Sequence, residues 1–333
     1  MKKSLLALAA LTAFAGVASA QSSVTLFGIV DVSVVSAKNG PNSMKGTGND
    51  QLNSNRLGFR GVEDLGGGLK AGFWIEGAMS PDNGTAAGQT WQRRSTVSLM
   101  GGFGEVRLGR DYTPSFWNYT IFDPFGTNGP GSMLNLVSTL GSGAGTLVRA
   151  NNTVAYFLPA MGGLYGQLQM AAGEGATGNK YQGVRFGYAA GPVNVAGAWG
   201  RTPKTGAMLD DYSDKNIGAS FAIGTGTIIA QYSKRDYRNL DQKTMLIGGT
   251  YGIGASTLKA SYTKSNGSNS TLEGSQWALG YQYDLSKRTA LYATYSNLKN
   301  EKGAAFNAAG GLPLAAVAGE KSQALAVGVR HAF

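Results

Sequence analysis

Apolar and polar residues alternate along many short segments of this chain. Near residue 24 the apolar Val24, Leu26 and Val34 share one parity, and the polar Thr25 and Asp31 share the other. A period of two is typical of a β-strand with one apolar and one polar face. The same pattern recurs in segments 56–60, 69–76, 275–283 and 323–333. The pattern therefore predicts an all-β protein.

Turn signals divide these segments regularly. Seven tight turns are predicted at 63–67, 101–104, 159–163, 190–192, 224–226, 252–254 and 284–287. Eight longer, polar connectors are predicted near 37–51, 80–90, 111–148, 173–181, 201–214, 236–241, 265–273 and 299–320. Fifteen connections imply sixteen strands. An even number of strands, with short turns at one end and long loops at the other, is typical of a closed antiparallel transmembrane β-barrel.

Residues 1–20 have the features of a cleaved export signal. Lys2 and Lys3 precede an apolar run that ends in Ala18-Ser19-Ala20, a typical cleavage sequence. Removing this segment leaves residues 21–333 as one barrel domain with a net charge of +8. No later stretch is long and apolar enough to predict a transmembrane helix, so a membrane location would depend on strands.

The composition excludes several kinds of chemistry. The 333 residues include no Cys and one His, whereas 51 are Gly and 14% are charged. Such a chain has no Cys nucleophile and no Cys/His metal cluster, and we expect neither a metal nor a cofactor. The single imidazole, His331, is expected to pack in the last strand rather than to catalyse a reaction. The lone G-x-G-x-x-G match at 173–178 lies in a polar connector, so it does not predict a nucleotide site.

The last predicted strand ends in an aromatic residue. Val327, Val329 and Phe333 share one face of the segment 323–333. This alternation with a final Phe resembles the signal that the outer-membrane barrel-assembly machinery reads. We expect these three residues to act as that signal.

Several motifs together resemble the general diffusion porins of β-proteobacterial outer membranes. They are spread from the start of the predicted mature chain to its last residue: 21–31, 54–61, 63–74, 93–99, 102–110, 149–152, 285–292 and 328–333. The resemblance implies a homotrimer of sixteen-stranded barrels in the outer membrane. It also implies that each barrel holds a water-filled channel for passive diffusion of small ions and hydrophilic solutes, and that the long third loop, 111–148, folds inward to form a constriction.

The parity of the arginines predicts which of them face the lumen. Arg56 has the parity of Arg60, opposite the apolar Leu57 and Phe59, and therefore points inward. Arg149 likewise lies opposite the apolar face of its strand.

For the adjacent Arg93 and Arg94, strict alternation places Arg94 in the lumen, whereas the resemblance places a constriction arginine at Arg93. A bulge or a bend before the strand would reconcile the two, and both stay candidates.

The acids that oppose these arginines are predicted to come from the 38-residue connector 111–148, which is far longer than an ordinary loop. Asp111 and Asp123 are its only carboxylates, and Asp123 is the better candidate for the constriction. Arg60, Glu76 and Asp111 are secondary candidates for the lumen wall. Because arginines outnumber acids, we expect weak to moderate anion preference.

Two other functions remain open from the sequence. An outer-membrane barrel hydrolase would need a His beside a Ser or an Asp, and a soluble exported adhesin would share the strand alternation. The scattered basic residues do not predict nucleic-acid binding. If the chain is a barrel, membrane lipid and lipopolysaccharide are its expected neighbours.

Overall fold

A computed structural model describes residues 23–85 and 90–333. The proposed export signal, 1–20, lies outside the described residues. The described strands are β1 (Ser23–Asn39), β2 (Asn42–Asn49), β3 (Arg56–Gly66), β4 (Leu69–Ala78), β5 (Arg94–Gly101), β6 (Gly104–Tyr112), β7 (Arg149–Phe157), β8 (Leu164–Ala171), β9 (Tyr181–Ala190), β10 (Val193–Thr202), β11 (Tyr212–Ile223), β12 (Gly226–Tyr237), β13 (Leu240–Ile253), β14 (Ser256–Gly267), β15 (Gly274–Asp284), β16 (Thr289–Asn300) and β17 (Lys321–Ala332). The helical segments are α1 (Pro114–Ile121) and two 3₁₀ turns, Met133–Leu136 and Ser270–Leu272. None of the helices in the described ranges is long and apolar enough to cross a membrane.

The strands form one closed antiparallel barrel. Each strand pairs with its neighbours in the chain, and β1 pairs with β17 from Ile29↔Ala332 to Asn39↔Ser322. The segments β2 and β3 both pair with β1, but with different halves of it. They are therefore two parts of one barrel strand that is interrupted at 50–55, and the barrel has sixteen strands. The predicted fold class is confirmed.

All seven predicted tight turns connect strands at the same end of the barrel. Two of the eight predicted long connectors are wrong. Most of 37–51 belongs to the hairpin of β1 and β2, and most of 236–241 belongs to the hairpin of β12 and β13. Their polar residues are compatible with strands because these hairpins extend the barrel wall at the long-loop end.

The two faces of the wall have opposite character. On the outer face Val34, Val97 and Ile247 are 66%, 54% and 60% exposed, whereas on the inner face Asp31 and Thr244 are fully buried. An apolar outer surface of this extent is stable only in contact with an apolar medium. The outer face of the barrel is therefore suited to the hydrocarbon region of a membrane. The polar residues of each strand then line or fill the interior.

Candidate functional site

The third loop, between β6 and β7, lies inside the barrel. Thr113 caps α1 by accepting a hydrogen bond from the Phe116 N–H at 3.4 Å, and Pro114 occupies its first turn, where a missing N–H costs nothing. The Asn118 amide then donates to the Ala196 carbonyl on β10 at 3.0 Å. The Asn216 amide on β11 donates to the Ser115 carbonyl at 3.1 Å. These contacts confirm that the loop folds inward.

Glycines on the inner wall make room for the apolar side chains of the loop. A Cβ at Gly218 would lie 2.2 Å from the Phe122 ring, and a Cβ at Gly280 would lie 2.8 Å from the Phe125 ring. Because real Cβ atoms do not approach other atoms so closely, a side chain at either position would force the aromatic ring or the wall to shift. The position of the loop therefore depends on small residues of the strands as well as on the residues of the loop itself.

Gly218→Val is expected to displace the loop from the wall and to change single-channel conductance, since the new side chain would occupy the space of Phe122. Gly197→Val is the matched control, because the nearest heavy atom to a Cβ there is 3.9 Å away. The measurement is conductance in a planar bilayer. Equal conductance of the two variants would contradict this account of how the loop is seated.

The tip of the loop reaches the interrupted barrel strand. The Ser54 hydroxyl donates to the Asn128 side chain at 2.7 Å. Gly129 adopts φ +64°, and a Cβ there would lie 2.3 Å from the Gln51 carbonyl oxygen. The loop thus crosses the lumen to the segment between β2 and β3, and the passage beside it is bounded by the wall of β3–β7.

Arginines cluster on that wall around Glu76. The Glu76 carboxylate lies 3.5 Å from a terminal guanidinium nitrogen of Arg56 and 2.5 Å from Nε of Arg93. It also accepts a hydrogen bond from the Trp74 indole at 3.0 Å. The side chains of Glu76 and Arg93 are 6% and 10% exposed, whereas that of Arg56 is 23% exposed. Arg56 therefore presents the more accessible positive charge.

A bend before β5 explains how Arg93 and Arg94 can both point inward. Arg93 lies in the bend and Arg94 begins the strand. Arg94 lies 3.6 Å from the Asp111 carboxylate, and its guanidinium stacks on Trp74 with 4.5 Å to the ring centroid. The bend breaks the strict alternation, so the two adjacent side chains reach different carboxylates on one wall.

Asp111 is a strand residue rather than a loop residue, because β6 runs to Tyr112. Its carboxylate lies 2.6 Å from a terminal nitrogen of Arg107, which also pairs with Glu105 at 2.8 Å. Neither Arg107 nor Glu105 was among the predicted site residues. Their alternation with the exposed Val106 and Leu108 is a signal in the sequence that could have identified them.

Arg149 completes the cluster. Its Nε donates to the Arg93 carbonyl at 2.6 Å, and its guanidinium stacks on Tyr112 with 4.3 Å to the ring centroid. Arg110, which was also not predicted, donates to the Gln92 carbonyl and to the Asn151 side chain, both at 2.5 Å. Among the described residues neither Arg149 nor Arg110 forms a salt bridge with a carboxylate.

Arg60 lies further along the lumen wall toward the short-turn end. Its guanidinium stacks on Trp74 and Phe27, with 5.0 and 5.3 Å to the ring centroids. Aromatic faces hold a guanidinium without neutralising its charge. Arg60 thus remains an exposed positive charge of the wall.

The structure corrects the prediction that Asp123 opposes the arginines. Asp123 is 5% exposed, and its carboxylate accepts hydrogen bonds from the backbone N–H groups of Phe125, Met133 and Thr127 at 2.8, 2.9 and 3.3 Å. It therefore holds the turn of the loop together. Glu76 and Asp111 are the carboxylates that pair with the predicted arginines.

Burial raises the pKa of Asp123 to about 6, although the three backbone donors lower it. The folded state then holds this proton more tightly than the unfolded chain does, so the ionised carboxylate destabilises the fold as pH rises through about 6. Asn does not titrate. We therefore expect the free energy of unfolding of the wild-type protein to fall relative to that of Asp123→Asn as the pH rises from about 4 to about 7. Urea unfolding midpoints of both proteins across that range test this, and parallel profiles would contradict it.

The predicted assembly residues lie on the outer face of the closing strand. Val327 and Val329 are exposed on β17, and the Phe333 backbone exchanges two 3.0 Å hydrogen bonds with Gly28 of β1. The Phe333 ring covers Gly28, where a Cβ would lie 2.3 Å from it. The last residue thus extends the pairing that closes the barrel, and its role in assembly stays a prediction.

A closed, lipid-facing barrel whose polar lumen is narrowed by a loop opposite charged side chains defines a membrane channel. The chain belongs to the Gram-negative porin family, whose model matches residues 7–303. It is 38% identical to outer membrane porin protein 32 of Delftia acidovorans, with both chains fully covered, and 28% identical to an outer membrane porin of Bordetella pertussis, again over both full lengths. The anion-selective porin from Comamonas acidovorans has a similar structure, with a TM-score of 0.87, 35% identity, 94% of this chain covered and 100% of that one.

These findings make the chain an outer-membrane porin. Its relatives are channel proteins, and they give no support to the hydrolase or the adhesin that the sequence left open. The long-loop end is accordingly the outer end of the channel and the short-turn end is the periplasmic one.

Proposed function

We propose that this porin is a homotrimer of anion-preferring channels for passive diffusion of small hydrophilic solutes, with Arg56, Arg93, Arg94 and Arg149 forming its charge filter. The observation that carries the proposal is the excess of guanidinium groups on the wall of β3–β7. Five arginines cluster there with three paired carboxylates: Arg56, Arg93, Arg94, Arg107 and Arg149 with Glu76, Glu105 and Asp111. A ring of excess positive charge at a narrow point attracts anions and repels cations.

The anion-selective porin from Comamonas acidovorans supports the same conclusion, because it is 35% identical over most of this chain. A trimer form is described for OmpT of Vibrio cholerae, a barrel of the same fold with a TM-score of 0.67 and 17% identity. The apolar outer wall supplies a surface that can contact both neighbouring barrels and membrane lipid or lipopolysaccharide. Residues 1–20 are proposed to direct export and to be removed, and Val327, Val329 and Phe333 to direct insertion by the assembly machinery.

Planar-bilayer recording of the purified protein tests the proposal. In a KCl gradient the zero-current potential should have the sign of chloride preference, and conductance should rise in groups of three steps. A potential with the sign of potassium preference would refute the anion filter. Independent single steps would refute the trimer, and the complete absence of conductance would refute the channel.

A further inference from the structure

A polar cavity of about 600 Å³ opens at the outer end of the lumen. Four segments line it: the interrupted barrel strand, the loop after β4, the tip of the third loop and the last long loop. Its lining is made of hydroxyls, amides, backbone groups, Leu134 and Leu312 and two carboxylates, Asp50 and Asp82. The described lining contains no Lys, Arg or His, so its charge is opposite to that of the arginine cluster.

The cavity wall holds an excess of hydrogen-bond acceptors. Asp50 accepts from the Asn55 N–H at 2.5 Å with one oxygen, and Asp82 accepts from the Asn49 amide at 2.5 Å, also with one oxygen. Gln51 is only 3% exposed, and its Nε2 donates to the Gly310 carbonyl at 2.8 Å. Its Oε1, however, has no hydrogen-bond partner among the described residues. A buried acceptor without a donor indicates that a donor belongs there.

The arginine cluster begins directly beside this cavity. Ser54 lines the cavity, and its carbonyl accepts a hydrogen bond from Nε of Arg56 at 2.9 Å. Asp50 also lies close enough to Arg93 and Arg56 to interact electrostatically with both guanidinium groups. One continuous surface therefore presents carboxylates at the outer mouth and guanidinium groups immediately below.

From this juxtaposition we propose that the outer cavity and the arginine cluster form one binding site for small zwitterions such as α-amino acids. The ammonium group would bind Asp50, Asp82 and the Gln51 side-chain oxygen, while the carboxylate would bind Arg56 and Arg93. The inference rests on the proposed function, because the same arginines attract the anionic end of the solute.

Two simpler ligands fit the site less well. A cation without a carboxylate meets the excess of guanidinium groups as soon as it moves inward. Each hydroxyl of a neutral polyol brings one donor and two acceptor lone pairs, whereas the two carboxylates and the Gln51 oxygen can only accept. A zwitterion satisfies both parts of the surface and carries no net charge into the filter.

The test is uptake by proteoliposomes that contain the full porin. Alanine uptake should saturate, whereas uptake of lactamide, an uncharged solute of similar size, should rise linearly. In D50N/D82N the half-saturation concentration for alanine should rise at least about tenfold, because two charge-assisted hydrogen bonds to the ammonium group exchange a charged acceptor for a neutral one. Lactamide uptake should not change.

The variant is designed to keep the local structure. Asp50 adopts φ +63°, a conformation that Asn tolerates well, and both new amides keep an oxygen that can accept the existing hydrogen bonds. Asp236→Asn is the matched control, because Asp236 pairs with Lys234 at 2.7 Å on the outer face of β12, away from the cavity. Conductance verifies that each variant is folded.

Competition experiments separate the other ligand classes. Inhibition of alanine uptake by ethylammonium alone, as strong as that by alanine, would identify a simple cation site and overturn the proposal. Equally strong inhibition by glycerol would identify a polyol site and also overturn it. An unchanged half-saturation concentration in D50N/D82N would do the same. The KCl zero-current potential, measured on the same samples, tests the anion filter separately, so failure of either inference can be distinguished.

Discussion

Replacing both Arg56 and Arg149 with glutamate is expected to reverse the ion preference of the channel. Arg56 is the most exposed of the arginines around Glu76, and Arg149 forms no salt bridge with a carboxylate in the described structure, so both charges act on passing ions. A unit charge about 4 Å from an ion contributes about 1 kcal/mol in water, and each reversal doubles that change. Even after screening by salt, we expect the ratio of potassium to chloride permeability to rise at least about tenfold, which corresponds to about 1.4 kcal/mol.

The zero-current potential in a KCl gradient measures this ratio. Lys215→Glu is the control, since it makes the charge change of one of these two substitutions on the exposed outer wall of β11. Replacing the two arginines with glutamine should give an intermediate ratio, which also avoids placing a new carboxylate beside Glu76. If the glutamate variant conducts normally and keeps the wild-type potential, Arg56 and Arg149 do not form the filter.

The wall of the barrel was largely predictable from the sequence. Alternation fixes the face of a residue within a regular strand, which is why the inward direction of Arg56 follows from its neighbours. The short turns were equally clear, because each must reverse the chain within a few residues. The hairpin of β1 and β2 was missed because its residues 42–49 are small and polar and lack the apolar parity of a lipid-facing strand.

The partners of the site residues were less predictable. Glu76 and Asp111 meet the arginines because of the register between neighbouring strands, and Arg93 does so because of a bend. The alternation of apolar and polar residues along a strand reveals neither the register between strands nor the position of a bend. In the third loop no period exists at all, so the position of Asp123 in the sequence did not reveal that its carboxylate binds the backbone of its own loop.

The second large effect is expected at a buried ion pair that fastens the third loop. Arg235 on β12 is fully buried, and its Nε lies 3.9 Å from the Asp214 carboxylate on β11. Tyr119 of α1 joins them, because its hydroxyl donates to Asp214 at 2.9 Å and accepts from Arg235. Two nitrogens of Arg235 have no hydrogen-bond partner among the described residues. The buried positive charge of Arg235 is therefore balanced mainly by the negative charge of Asp214.

Asp214→Ala is therefore expected to lower the free energy of unfolding by about 3–5 kcal/mol, since it leaves a buried guanidinium without its countercharge. The effect should centre on α1, and chymotrypsin should cut more readily at the aromatic residues of the loop.

Asp236→Ala is the matched control: its exposed pair with Lys234 contributes about 1 kcal/mol or less. Adding Arg235→Met to Asp214→Ala should recover most of the loss, because the double variant no longer buries a charge. Urea unfolding and the rate of chymotrypsin cleavage measure the three variants, and equal stability of the Asp214 and Asp236 variants would show that the loop is held by its apolar seat on Gly218 and Gly280 instead.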